Sequence, residues 1–121
     1  MVLVDTSVWV SHLRKENTIL VKLLSDGEVV CHPFIVGELA CGNLKNRSEI
    51  LSLLQELPMS VQAEHEEVLQ FIESNRLMGQ GLGYIDVHLL ASAVLTDTLL
   101  WTFDKKLDKV SKKLGICLPE K

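Results

Sequence analysis

The chain opens on three uninterrupted apolar residues, Val2-Leu3-Val4, that end at an acid, Asp5, and Leu99-Leu100-Trp101-Thr102 later runs into Phe103-Asp104 in the same way. A short apolar run without polar alternation fits a strand buried on both faces, as in a parallel sheet covered by helices. The intervening segments carry helical spacing and helix punctuation. Thr6 and Ser7 open a first helix, a second covers about Thr18 to Leu24, and Asp26-Gly27 ends it. Glu28 to Cys31 reads as a strand, and Pro33 stands at a first helical position ahead of a helix over Phe34 to Leu44. Ser48 to Leu57 is helical until Pro58 breaks it, Met59-Ser60-Val61 reads as a short strand, and Ala63 to Leu77 is strongly amphipathic. Gly79, Gly81 and Gly83 form a turn before a helix over Tyr84 to Leu95. Lys105 to Leu114 is helical, and Ile116 to Leu118 closes as a last short strand. Strands alternating with helices predict an α/β fold, a three-layer α/β/α sandwich around a central, mainly parallel sheet.

The 121 residues fit one domain over positions 1–121, and 47% hydrophobic with 23% charged residues excludes disordered and low-complexity classes. Cys31, Cys41 and Cys117 form no CxxC pair, so neither a disulfide framework nor a structural zinc site is expected. No leader pattern precedes Asp5 and no apolar run approaches a membrane span, so a soluble, cytoplasmic protein is expected. The charge is uneven: 6 basic against 14 acidic residues up to Asp104, then 6 against 2 from Lys105 on. An acidic chain is not built for indiscriminate nucleic-acid binding, yet Lys105, Lys106, Lys109, Lys112 and Lys113 make a local basic strip. Its plainest reading is a solvated helix face.

Open parallel sheets bind ligands beyond the carboxyl ends of their strands. Asp5 and Asp104 fall there, Glu38 lies within an apolar helix, and Asp86 opens a helix whose following residues are apolar. Each acid alone has a structural explanation: Asp5 and Asp104 as helix N-caps, Asp86 in a first turn, Glu38 at the edge of an apolar stripe. Four carboxylates converging on one sheet edge would repel by about 4 kcal/mol per close pair at an effective dielectric of 20. Only protons or a cation make such a cluster tolerable. Oxygen-only donors suit Mg²⁺ or Mn²⁺ rather than zinc, and Mg²⁺ bridges to phosphate oxygens, which points to phosphodiester hydrolysis.

The pieces Val2-Leu3-Val4-Asp5-Thr6-Ser7, Gly37-Glu38-Leu39, Tyr84 to Ala93 and Trp101-Thr102-Phe103-Asp104 resemble the four acidic motifs of PIN domains, in that family's order and over nearly the whole chain. Among PIN proteins, a compact chain of this length most resembles the VapC toxins of toxin–antitoxin pairs. The resemblance implies an Mg²⁺-dependent endoribonuclease acting on RNA, a homodimer, and inhibition by a cognate VapB-like antitoxin. It assigns Asp5, Glu38, Asp86 and Asp104 to catalysis, with Asp5, Asp86 and Asp104 as metal ligands, and Thr6, Ser7 and Thr102 as hydroxyls that orient carboxylates or waters. One departure stands out. Many relatives carry a further acid two residues after the last one, where this chain has Lys106, so one bound ion is the safer expectation.

Two rivals use other chemistry. A receiver-like signalling domain also has an acidic Mg²⁺ pocket, but it needs paired acids after the first strand, and Asp5 stands alone. A non-catalytic PIN-like interaction module would have lost one or more acids, and all four are present. The histidines (His12, His32, His65, His88) have no metal-site spacing, and His88 is expected to face away from Asp86. The helices over Thr18 to Leu24 and Ser48 to Leu57 carry more apolar surface than a small sheet needs. Exposed apolar grooves, for self-association and for an antitoxin segment, are therefore expected.

Overall fold

In the computed structural model, which describes residues 1–119, three parallel strands carry the core: β1 (Val2–Val4), β2 (Val29–Val30) and β3 (Leu99–Trp101). Positions 120 and 121 of the expected domain span lie outside the described residues. The strand order is β2-β1-β3, so the first strand is central and the chain leaves it on one side and returns on the other. Such a reversal opens a crevice at the carboxyl ends of the strands. The pairs Val2↔Leu99, Leu3↔Leu100 and Val4↔Trp101 fix the register of β1 against β3, and Asp5 N–H donates to Trp101 O at 2.9 Å. That register sets Asp5 beside Thr102.

Helices α1 (Thr6–Arg14), α2 (Thr18–Ser25), α3 (Pro33–Ala40), α4 (Arg47–Gln55), α5 (His65–Asn75), α6 (Tyr84–Leu95) and α7 (Lys105–Lys113) complete the α/β sandwich. The expected helices all form, with differences at the ends. α3 stops at Ala40 rather than Leu44, because Cys41-Gly42-Asn43 turns the chain and the Arg47 guanidinium reaches back to Ala40 O at 2.9 and 3.1 Å. The short strands expected at Met59-Ser60-Val61 and Ile116 to Leu118 are each a single bridge, Met59 to Cys31 and Cys117 to Leu100. Each bridge closes with two backbone hydrogen bonds and goes no further.

Leu3, Val4, Leu89, Leu90, Leu100 and Leu107 are completely buried. A fully buried leucine contributes roughly 1.5–3 kcal/mol. α6 is the most enclosed helix, with Val87 to Ala93 buried without a break. An uninterrupted apolar helix belongs inside. The buried run begins at Val87, one residue after Asp86, so the anchored part of the helix sets where Asp86 stands.

His32 is fully buried at the N-cap of α3. Its Nδ1 accepts the Phe34 N–H at 3.0 Å, so the proton of the neutral ring sits on Nε2, 3.1 Å from Ser92 Oγ. Burial, helped by nearby His88, lowers its pKa to about 4. The unfolded chain takes up this proton at about pH 6.5. Stability is therefore lost as pH falls from about 6.5 towards 4, where the unfolded state binds a proton that the folded state refuses. Urea unfolding across this range should show a steep loss for the wild type and a flatter profile for His32→Gln. Parallel profiles would show that another group controls acid stability.

Candidate active site

The site is built on the carboxyl ends of β1 and β3. Asp5 follows β1, caps α1 through the Ser7 N–H at 3.4 Å, and is only 7% exposed. A buried carboxylate needs donors to remain charged. It has two strong ones: Ser7 Oγ donates to Asp5 Oδ2 at 2.7 Å and Thr102 Oγ1 donates to the same oxygen at 2.8 Å. Each hydroxyl accepts in turn, Ser7 Oγ from Phe103 N–H and Thr102 Oγ1 from Asp104 N–H, both at 3.0 Å. The hydroxyls thus tie the first acid to the backbone that leads to the last. Every described side-chain hydrogen bond of Asp5 falls on Oδ2, leaving Oδ1 to another partner.

Asp86, in the first turn of α6, is half-buried, and its Oδ2 accepts Gly83 N–H at 3.1 Å. Burial raises its pKa despite that hydrogen bond, and the charges of Asp5 and Asp104 push it up further. Three of the four expected acids therefore share one electrostatic field. Asp104 is exposed and caps α7, its Oδ1 accepting Leu107 N–H at 2.9 Å. Glu38, on the exposed side of α3, meets the cluster through a hydroxyl: Thr6 Oγ1 donates to its Oε1 at 2.8 Å. Thr6, Ser7 and Thr102 each bond one of the acids.

Among the described residues, no three His, Cys, Asp or Glu side chains enclose a metal position by themselves. The acids form an open arc rather than a cage. Mg²⁺ keeps several waters and commonly takes only one or two carboxylates. Oxygen donors in an open arc fit that habit and do not fit zinc. Asp108, near the position where relatives carry a further acid, pairs with Lys112 Nζ at 3.0 Å within α7.

Sequence reasoning passed over two features. One is the Gly83 N–H that holds Asp86, for which a Gly three residues before an acid at a helix start was the available signal. The other is a chain of rings, His32–Phe34–His88–Tyr84–His65, with centroids 4.6 to 5.7 Å apart. His88 lies within it, away from the acids as expected, and its Nδ1 has no hydrogen-bond partner among the described residues.

The PIN domain family model matches residues 2–113. The chain is 45% identical over 121 residues to Ribonuclease VapC32 of Mycobacterium tuberculosis, in two strains, covering 99% of this chain and 98% of that protein. Its fold matches the crystal structure of PAE2754 from Pyrobaculum aerophilum with a TM-score of 0.60 at 16% identity, over 94% of this chain and 88% of that one.

The raised pKa of Asp86 is also a stability statement. The folded state holds its proton more tightly than the unfolded one, so this group's contribution falls as pH rises from the ordinary carboxylate range through the raised value. At neutral pH without divalent metal, Asp86→Asn should raise the melting temperature by a few degrees, about 1 kcal/mol. Added Mg²⁺ or Mn²⁺ should stabilise the wild type and do little for the variant. A lower metal-free melting temperature for Asp86→Asn with an undiminished metal response would contradict this account.

Proposed function

From the premise that this chain belongs to the PIN domain family, we propose that it is a VapC-type endoribonuclease, one nuclease domain over residues 1–121 that hydrolyses RNA phosphodiester bonds. The observation that carries the reading is the buried Asp5 carboxylate, locked by Ser7 and Thr102 and sharing its field with Asp86 and Asp104. A structural cap needs one donor and no neighbouring acids. Burial first, and the charges of Asp5 and Asp104 after it, raise the pKa of Asp86, and acids that disfavour one another's charge in this way suit a cation.

Mg²⁺, with Mn²⁺ as a substitute, would sit among Asp5, Asp86 and Asp104, bound directly by one or two of these carboxylates and otherwise by water. Bound there, the ion would supply positive charge against the scissile phosphate and make water a better nucleophile at neutral pH. The remaining work belongs to side chains of this chain. Ser7 and Thr102 hold Asp5 Oδ2 in one orientation, so the other oxygen needs no reorganisation on binding. The Gly83 N–H does the same for Asp86. Glu38, steadied by the Thr6 hydroxyl, is placed to orient a water at the rim. Cleavage adds water across one P–O bond, giving a phosphate monoester and a hydroxyl. Asp5→Asn and Asp86→Asn should each cut RNA hydrolysis at least about 10²-fold with the fold intact, and EDTA should abolish wild-type activity. Wild-type rates in either variant, or cleavage indifferent to EDTA, would refute the assignment.

The VapC name of the relatives supports a VapB-like antitoxin as a partner, and the reading proposed for this chain is a homodimer acting in the cytoplasm. Among the described residues, no helix is long and apolar enough to cross a membrane. An apolar groove of about 410 Å³ between α1, α2 and α4, lined by Trp9, Leu13, Leu24, Ile50, Leu53 and Leu57, suits an antitoxin segment. Trp9 lines it, and the buried Nε1 of that indole has no hydrogen-bond partner among the described residues. Leu53 is 56% exposed, so Leu53→Glu should leave folding and RNA cleavage unchanged. It should weaken rescue by a co-expressed cognate VapB-like antitoxin by at least tenfold. Undiminished rescue would place the antitoxin elsewhere.

A further inference from the structure

The glycine-rich turn and the lysine-rich helix, which the acid cluster leaves unused, meet at one point. Gly81 has φ +78, and a Cβ built on it would lie 2.9 Å from Lys106 Cδ and 3.0 Å from Lys106 Nζ. The Lys106 side chain therefore lies along the bare face of Gly81. This contact bridges two segments that carry acids: the turn ahead of Asp86 on α6, and the first turn of α7 capped by Asp104. Lys106 is exposed and makes no ion pair among the described residues, whereas Lys22 and Lys112 are paired within their own helices.

An RNA strand entering a site of four carboxylates meets repulsion at every phosphate except the one the cation faces. A fixed cation at the rim offsets that repulsion for a flanking phosphate. Resting the lysine stem on glycine removes part of the side-chain entropy that a free surface lysine loses on gripping an anion. We infer that Lys106 is a phosphate anchor, its ammonium binding a backbone phosphate of the RNA next to the one cleaved, with its stem resting on Gly81, a residue whose φ of +78 already calls for glycine. Lys109 and Lys113 follow at i+3 and i+7 on the same helix, continuing the track for about 10 Å at 1.5 Å per residue. The inference rests on the ribonuclease reading above.

The test uses the full chain, a single-stranded RNA and three variants. Lys106→Met keeps the stem and removes the charge, Lys106→Arg keeps a charge, and Lys22→Met removes an equal charge elsewhere. Lys106→Met should raise KM about 5–10-fold with kcat within about twofold, as for binding lost equally from ground and transition states. In an Asp86→Asn background with EDTA present, where cleavage is suppressed during the binding measurement, log K against log salt should become shallower by about 0.7, one single-strand phosphate contact. Lys106→Arg should restore both quantities, and Lys22→Met should change neither. Unchanged KM and slope, a loss confined to kcat, or an equal defect in Lys106→Arg would each overturn the anchor. Thermal melts identify a variant that has failed to fold, and the slope in Lys109→Met then reads the same track: an unchanged slope overturns it. Absence of RNA cleavage by the wild type in Mg²⁺ would instead sink the ribonuclease reading, while a cleaving wild type with an unaffected Lys106→Met sinks the anchor alone.

Discussion

Two hydroxyls on one carboxylate oxygen hold this site together. Ser7 and Thr102 both donate to Asp5 Oδ2, and both accept a backbone N–H from the segment after β3. The arrangement solves two problems at once. It satisfies a carboxylate that the sheet register has buried, and it sets the direction in which the segment leading to Asp104 leaves β3. An apolar residue at position 102 would strip one donor from a buried charge and one acceptor from the Asp104 N–H, a loss of about 1–3 kcal/mol per unsatisfied group.

The rest of the crevice follows from which elements are free to move. β1 is central and paired on both sides, and α6 is buried along most of its length, so Asp5 and Asp86 ride on the two most enclosed elements of the chain. Asp104 and Glu38 are exposed, and each is steadied by a single contact. The division leaves two acids on rigid elements and two on the exposed rim of the crevice. Repulsion among the acids costs stability in the metal-free protein, a common feature of sites shaped for binding rather than for folding.

Much of the fold was legible because local chemistry and global fold agree. Val2-Leu3-Val4 could only be a buried strand, Pro33 opens α3, and Asp26-Gly27 and Gly115 end their helices where the turn chemistry says they should. The misjudged ends include some that partners outside the element decide. α3 is cut short by a guanidinium seven residues further on, and two expected strands shrink to bridges because each meets its neighbour at one residue only. No periodicity in the sequence encodes either outcome.

The sequence by itself determined the alternation of strands and helices, the order of the four acids and the oxygen-only chemistry they offer, because each of these depends on residue type and near neighbours. Tertiary structure decided what the acids are to one another. Asp5 and Thr102 are 97 positions apart, and only the parallel register of β1 on β3 makes them partners. Asp86 joins their field because α6 is driven inside by its own apolar faces. Lys106, which the sequence shows as one lysine of a basic strip and as a missing acid, meets a glycine 25 positions earlier. Such contacts join segments distant in the chain, and burial of the core, not any local preference, brings them together.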